Sequence, residues 1–369
     1  MNDPLLYSIA FSQIHGINLY ERKKLMNVFG SALSIYNACH QVAEAFVDLE
    51  IKSIESILSP WPLKAAAEEL ATMKLLNIDT CCIDDATYPN RLFQCEDAPT
   101  ILFYKGIKKW NLPYLISIVG TRAHTRQSFA IIKDLIEGIK HLPIGIISGL
   151  ALGIDTIAHK TALEYTLPTW AVLGHGLDMI YPTQNRQLAI SILEQGGLFT
   201  EFTSKTSPLH FHFPKRNRIV AGLSDATIVV ETDTKGGSMI TAGLAFKYNR
   251  EVFAAPGKIY DPKSRGCLAL IKNNMASIYH DPIHFLEAMQ WPIPEKPKIR
   301  KQNQQRSFNW DPISQQIIEF IDIHSPVQEA FIHEHFSMES AQLAAKLLDL
   351  ELDGAIERQA GNQYARKID

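Results

Sequence analysis

From Leu5 to about Leu76 apolar residues recur at helical spacing, as in Leu5, Leu6 and Ile9 and again in Leu25, Val28 and Phe29, which predicts a small helical domain over residues 1–78. Within it Ile14-His15-Gly16-Ile17 and Phe29-Gly30-Ser31 separate helical runs. That arrangement fits either a plain helical bundle or a helix-hairpin-helix or sterile-alpha-motif-like module, because Gly is also a common helix C-cap. After Asp79 the pattern changes to short apolar runs at 114–119, 144–147, 169–173, 226–230 and 251–255, each ending near Gly, Ser or Pro. The intervening stretches 129–139 and 154–163 are long enough for crossover helices, so residues 79–290 read as an α/β domain, a Rossmann-like, mostly parallel sheet. Residues 291–309 carry prolines and charges without apolar periodicity and read as a linker. The remainder, 310–369, orders as helices at 313–323, 327–335 and 340–350 followed by Gly354 and a short alternation through Ile356 and Tyr364. That order predicts a winged helix.

Composition narrows the chemistry. The chain has 369 residues, 46% of them hydrophobic, enough for a sizeable core with smaller satellites. Its net charge is -3, so the whole molecule has no pull toward phosphate and any nucleic-acid site must be a local patch. The five cysteines (Cys39, Cys81, Cys82, Cys95, Cys267) lack C-x-x-C spacing, the pattern of reduced thiols in a cytoplasmic protein. The first sixteen residues have no positive n-region, and no apolar run is long enough to span a membrane.

Sheets of this type bind ligands outside the carboxyl ends of their strands, where backbone N–H groups and helix N-termini attract anions. Four predicted strands end in small residues: Gly120-Thr121-Arg122, Ser148-Gly149 through Gly153 and Asp155, Gly174-His175-Gly176, and Gly236-Gly237-Ser238. Four such turns on one edge predict a phosphate-cradling site. Neither a G-x-G-x-x-G fingerprint nor a P-loop Gly-Lys-Ser/Thr is present, which argues against a dinucleotide cofactor and against ATPase activity. Residues 98–133 and 202–224 hold no Asp or Glu but include Lys105, Lys108, Lys109, Arg122, Arg126, Lys133, Lys205, Lys215, Arg216 and Arg218. Two acid-free windows predict one continuous positive strip, longer than a mononucleotide requires.

Leu209-His210-Phe211-His212-Phe213 then interleaves rings and imidazoles just before Pro214-Lys215-Arg216-Asn217-Arg218. This pairs stacking surface with phosphate neutralisation, as unpaired bases require. Read as a strand, the segment leaves open whether Phe211 and Phe213 stack on bases or alternate into the core. His210 and His212 share a strand face but have no third ligand for a metal, and Asp155 with His159, four apart, fits a turn-orienting Asp with a packed His behind it better than an acid/base pair. In the last helix Lys346 stands against Glu339, Asp349, Glu351 and Asp353, so the C-terminal unit is expected to meet a protein rather than read a major groove.

Taken together, Ile118-Val119-Gly120-Thr121-Arg122, Ser148 through Asp155 with Ala158-His159, Gly174 through Pro182 with Asn185, Phe213 through Ile219, Gly236 through Ala242 and Ala255-Pro256-Gly257 resemble the DNA-processing protein A family (DprA, also called Smf). The resemblance extends over nearly the whole chain, with Tyr88-Pro89, Pro99 and Leu102 through Gly106 similar to the family's lead-in. It implies an extended Rossmann domain, without a cofactor, that binds single-stranded DNA as a homodimer and loads a RecA-type recombinase during natural transformation. Carried over, it makes Arg122, Lys215, Arg216 and Arg218 phosphate contacts, with Phe213 and Asn217 in the same motif. Gln127-Ser128 stands where the family commonly has Tyr-Gly, and Leu268 and Asn274-Met275 replace its Gly-Cys-Asn and Gly-Ala near where members pair.

The rival is a nucleoside-monophosphate-cleaving hydrolase of the lysine-decarboxylase-like group, which carries a catalytic Glu after its glycine turn. Here Met239-Ile240-Thr241-Ala242 follows the turn, leaving only Glu231 and Asp233 nearby as carboxylates. A binding protein rather than an enzyme is expected.

Overall fold

The computed structural model describes residues 3–41, 55, 57–294, 310–359 and 361–366, which fall into two compact units, Met1–Ile293 and Pro294–Asp369. The predicted linker, apart from its first four residues, lies outside the described residues.

The first unit opens with helices Pro4–Ser12, Leu19–Phe29, Ala32–Gln41 and Pro60–Leu76. Their starts are encoded locally. Asp3 accepts from the Leu5 N–H at 3.0 Å ahead of a proline, and Asn18 and Glu21 form a capping box. The turns 14–17 and 30–31 separate helices as expected. The helical segment and the sheet share one core, in which Phe11, Ile35, Tyr36 and Met73 belong with Leu102, Phe103, Trp110 and Phe199. Residue 78 is therefore a junction between packed parts of one unit.

The sheet has nine strands: β1 (Asp79–Cys82), β2 (Ile101–Gly106), β3 (Tyr114–Val119), β4 (Ile144–Ser148), β5 (Thr169–Val172), β6 (Gly197–Thr200), β7 (Ala226–Val229), β8 (Glu251–Ala254) and β9 (Ser277–Ile278). Their order is β1-β2-β6-β5-β4-β3-β7-β8-β9. From β6 through β9 every pairing is parallel, while β2 runs antiparallel to both β1 and β6. Strands β3, β4, β5 and β7 are almost entirely buried, which explains their continuous apolar runs. The crossover helices are Arg126–Ile139, Ile154–Glu164, Arg186–Gln195, His212–Gly222 and Gly237–Lys247, and helices Pro262–Lys272 and Pro282–Ala288 follow β8 and β9. β1, β2, β6 and β9 extend the sheet beyond the five strands read from the pattern.

One expectation fails here. Residues 209–213 do not form a strand: a turn closes with the His212 N–H donating to Leu209 O at 2.9 Å, and a helix starts at His212. Pro214 falls in that helix's first turn, where a missing N–H removes no intrahelical bond, so the proline favours a helix start.

In the second unit, helices Pro312–His324, Glu329–Phe336 and Ser340–Leu352 accompany a three-stranded antiparallel sheet of β10 (Val327–Gln328), β11 (Ile356–Gln359) and β12 (Gln363–Arg366), ordered β10-β12-β11. This is a winged helix, packed around Ile317, Ile321, Ile332, Leu343 and Leu347. The stretch expected as helix from 327 spends its first two residues in β10. Lys346 is bound to the capping carboxylate of Asp311 at 2.7 Å.

Candidate nucleic-acid interface

At the carboxyl ends of β3, β4 and β7 the loops and the starts of three helices enclose an open cleft of about 370 Å³. Each wall is held from behind. After β3 the Thr121 N–H donates to Glu231 O at 2.6 Å, and the Glu231 carboxylate takes the Thr125 N–H at 3.0 Å together with the Thr125 hydroxyl. Gly120-Thr121-Arg122 is thereby fixed with the Arg122 side chain exposed. After β4 one carboxylate oxygen of Asp155 accepts from the Gly149 N–H at 3.1 Å and the Ala151 N–H at 3.2 Å, the turn-orienting role expected for it. Gly153 has φ +86°, and a Cβ there would lie 2.3 Å from Thr121 O, so the two walls meet only over glycine. After β7 the helix Gly237–Lys247 points its N-terminus at the cleft with no side chain capping it. Its free N–H groups and dipole make that wall receptive to an anion.

The fourth wall is the start of helix His212–Gly222. Its basic residues divide sharply. Lys215 is exposed, with Nζ 5.8 Å from the centre of the Phe211 ring. Arg216 is buried and donates to Gly149 O and Val172 O, with Nε on Asn217 Oδ1 at 3.1 Å. It still lines the cleft floor. Burial pushes its pKa down to about 10, which leaves it charged at neutral pH. Arg218 is buried in an ion pair with Glu201 and donates to Asp97 O at 2.5 Å, so its guanidinium faces inward. The expectation that Arg218 contacts phosphate is corrected: although Lys215 lies only three residues away on the same helix, the Glu201 carboxylate and Asp97 O hold the Arg218 guanidinium in the protein.

Neither phenylalanine enters the core. Phe211 is exposed, and Phe213 is half-buried at the cleft, 6.0 Å from the Tyr181 ring and 5.9 Å from the Arg122 guanidinium. Gly174 lies beneath it, where a Cβ would come 3.0 Å from the Phe213 ring. The cleft thus brings together Gly120, Thr121, Arg122, Gly149, Phe213, Arg216, Asn217, Gly236, Gly237 and Ser238. Ser148, Gly174 and Gly176 support it without lining it. Ser148 is buried with its hydroxyl on Ile118 O at 2.6 Å, and a Cβ on Gly176 would strike Thr203 O at 2.7 Å.

His159, His175 and His212 are structural. His159 is buried with Nδ1 2.7 Å from the Thr169 hydroxyl, and burial beside Arg216 pushes its pKa down to about 3. His175 sits between Gly176 O and the Tyr181 N–H, and its pKa is lowered by burial. His212, expected to share a face with His210, is buried on Ser207 O at 3.0 Å while His210 is exposed. The positive strip is also shorter than expected. β2 is antiparallel to β6, with Gly106 opposite Gly197 at the start of β6, so Lys108 and Lys109 lie at the other edge of the sheet. Thr232 and Asp233 also line the cleft, and nothing in the local sequence pattern marks them as binding residues.

An extended Rossmann-like α/β protein with an anion-receptive cleft at the carboxyl edge of its sheet, followed by a winged helix, is the class these features define. The chain belongs to the family described as DNA recombination-mediator protein A, whose model matches residues 79–290, and residues 301–362 match the DprA winged helix domain. Protein Smf of Escherichia coli is 34% identical over 312 residues, 84% of this chain and 82% of that protein. The DNA processing protein DprA of Streptococcus pneumoniae is 43% identical over 192 residues, 51% of this chain and 66% of that one. The X-ray structure of DprA from Streptococcus pneumoniae superposes with a TM-score of 0.61 at 32% identity, covering 77% of this chain and 97% of that one. DNA processing protein A from Helicobacter pylori, whose structure addresses its single-stranded DNA binding mode, superposes at 0.53 with 30% identity over 58% of this chain and 95% of that one.

Proposed function

We propose that this chain binds single-stranded DNA in the cleft, through phosphate contacts to Arg122, Lys215 and the backbone N–H groups of Gly237 and Ser238, with Gly236, whose own N–H is held by Asp233 O, giving the close approach. The observation that carries the reading is the joint placement of an exposed Arg122, a half-buried Phe213 and an uncapped helix N-terminus on one cleft. Phosphate meets charge and N–H groups there, and a base meets a ring, which is how unpaired nucleic acid is held without sequence readout. The relative from Helicobacter pylori, described by its single-stranded DNA binding mode, supports the same reading. In this role the protein works in the cytoplasm as a homodimer that protects incoming DNA and hands it to a RecA-type recombinase during transformation.

The hydrolase reading has less support. The Glu231 carboxylate is taken up by Thr125, and Asp233 turns Oδ1 onto the Thr234 N–H at 2.7 Å. Asp233 lines the cleft but stands before the glycine turn, not after it where that group of hydrolases carries its Glu. Binding of a deoxythymidine oligomer and of a matched duplex across a salt series tests the proposal. Preference for the single strand, with affinity falling as salt rises, is the expected result. Equal affinity for duplex at every salt concentration, or release of free base from nucleoside monophosphates, would overturn it.

A further inference from the structure

Beyond the cleft, the loop leaving β8 carries a feature that folding does not explain. The Asp261 N–H donates to Lys258 O at 3.0 Å, closing a β-turn whose two central residues are Ile259 and Tyr260. Central turn positions normally take Pro, Gly, Asn, Asp or Ser, which adopt the geometry with little cost and face water readily. Here they are apolar and aromatic, and they stay 74% and 91% exposed. Single exposed apolar residues are ordinary, but two in succession on a turn tip gain no burial from the fold.

The elements on either side of the tip are fixed to the cleft edge. Ala255 N–H donates to Val229 O at 2.9 Å, continuing the parallel β7–β8 register, so the loop emerges on the same edge as the cleft. Thr232, a cleft residue, donates its N–H to Lys263 O at 2.7 Å and accepts from the Gly266 N–H at 2.8 Å. The helix Pro262–Lys272, which starts directly after the turn, is thus tied through two backbone bonds to the cleft wall. Its surroundings are basic: Lys258 and Arg265 are exposed and Lys263 is half-buried. The nearby carboxylate, Asp261, is occupied in capping the helix through the Lys263 N–H at 2.9 Å.

We infer that Tyr260, with Lys258 and Arg265 beside it, is a second base-stacking point, which receives the strand after it leaves the cleft past Thr232. The inference rests on the single-stranded DNA reading above. A strand rather than a protein is the occupant because Lys258 stands in the turn and Lys263 and Arg265 follow on the next helix, which puts cations close along the chain to an apolar tip, the combination that stacks bases while neutralising phosphates.

The test is fluorescence anisotropy with deoxythymidine oligomers of about 6 and about 20 nucleotides, spanning the site sizes of single-strand binders, on wild type, Tyr260→Ala, Tyr260→Phe and Arg122→Ala. Tyr260→Ala should weaken the long oligomer about tenfold and leave the short one unchanged, with Tyr260→Phe restoring affinity to within about twofold. Photocrosslinking of an iodouracil-substituted long oligomer should map to the peptide holding Tyr260. If wild type binds both oligomers, Arg122→Ala weakens both and Tyr260→Ala changes neither, the inference falls while the reading stands. If wild type binds neither, both fall. A change in sedimentation of Tyr260→Ala without DNA, with binding unaltered, would assign the tip to contact between copies and overturn the inference.

Discussion

Arg216 donates to the carbonyl oxygen of Gly149 from beneath the cleft, and a Cβ at position 149 would lie 2.5 Å from the guanidinium. The same guanidinium also bonds Val172 O, so one buried cation ties the ends of β4 and β5 to the basic helix. Arg216→Met should therefore cost on the order of 3 kcal/mol, since two buried carbonyls lose their donor. Urea unfolding measures this. Gly149→Ala should also be destabilising and should weaken DNA binding without removing any charge, because the guanidinium must shift.

Lys215 and Arg218 should respond oppositely to truncation. Lys215→Ala is expected to leave stability within about 0.5 kcal/mol, while weakening single-strand binding and reducing the salt slope by about 1. Arg218→Ala leaves the half-buried Glu201 without its partner and should cost about 3 kcal/mol of folding stability. Its binding should be normal wherever it remains folded. Paired urea curves and salt titrations separate the two effects.

Stability should fall on mild acidification. His159 holds no proton in the native state until about pH 3, whereas its ordinary value is 6.5. Between those values the unfolded chain binds a proton that the native one does not, so unfolding is favoured as pH drops through that window. His175 is shifted the same way. Asp155 is raised by burial and acts with the opposite sign, taking up its proton earlier in the native state and offsetting part of the loss. For His159 alone the loss between about pH 7 and about pH 5 is about 2 kcal/mol. His159→Gln should flatten the dependence. An unchanged pH profile in that variant would place the effect elsewhere.

The helical segment braces the loop that feeds the basic helix. The buried Glu69 accepts the Ser204 N–H at 2.9 Å. Glu69→Ala should destabilise the protein by about 1–3 kcal/mol. It should also release hydrogen-exchange protection at the Ser204 amide, with cleft amides such as Gly149 less affected.

Much of the fold was readable because its signals are local. Buried parallel strands are apolar along their whole length, and β3, β4, β5, β7 and β8 announced themselves in that way. β6, with only Leu198 and Phe199 between a glycine and a threonine, and β9, two exposed residues long, have no such run. The 209–213 segment misled because alternating His and Phe imitates strand periodicity, while the feature that decided its shape was Pro214 three residues into a helix.

Local signals in the amino-acid sequence established that four strands end in small residues, that a basic motif lies between the third and fourth of those turns, and that a winged helix follows the sheet domain, since caps, turns and apolar periods act within a few residues. They could not determine which of three cations in Lys215-Arg216-Asn217-Arg218 faces solvent. That was settled by carbonyls of β4 and β5 and by Glu201, which lie far along the chain and reach the helix only after the sheet forms. The direction of β2 is of the same kind. Charges adjacent in sequence share a patch only if the strand topology brings them to one edge, and the antiparallel β2 carries Lys108 and Lys109 to the other.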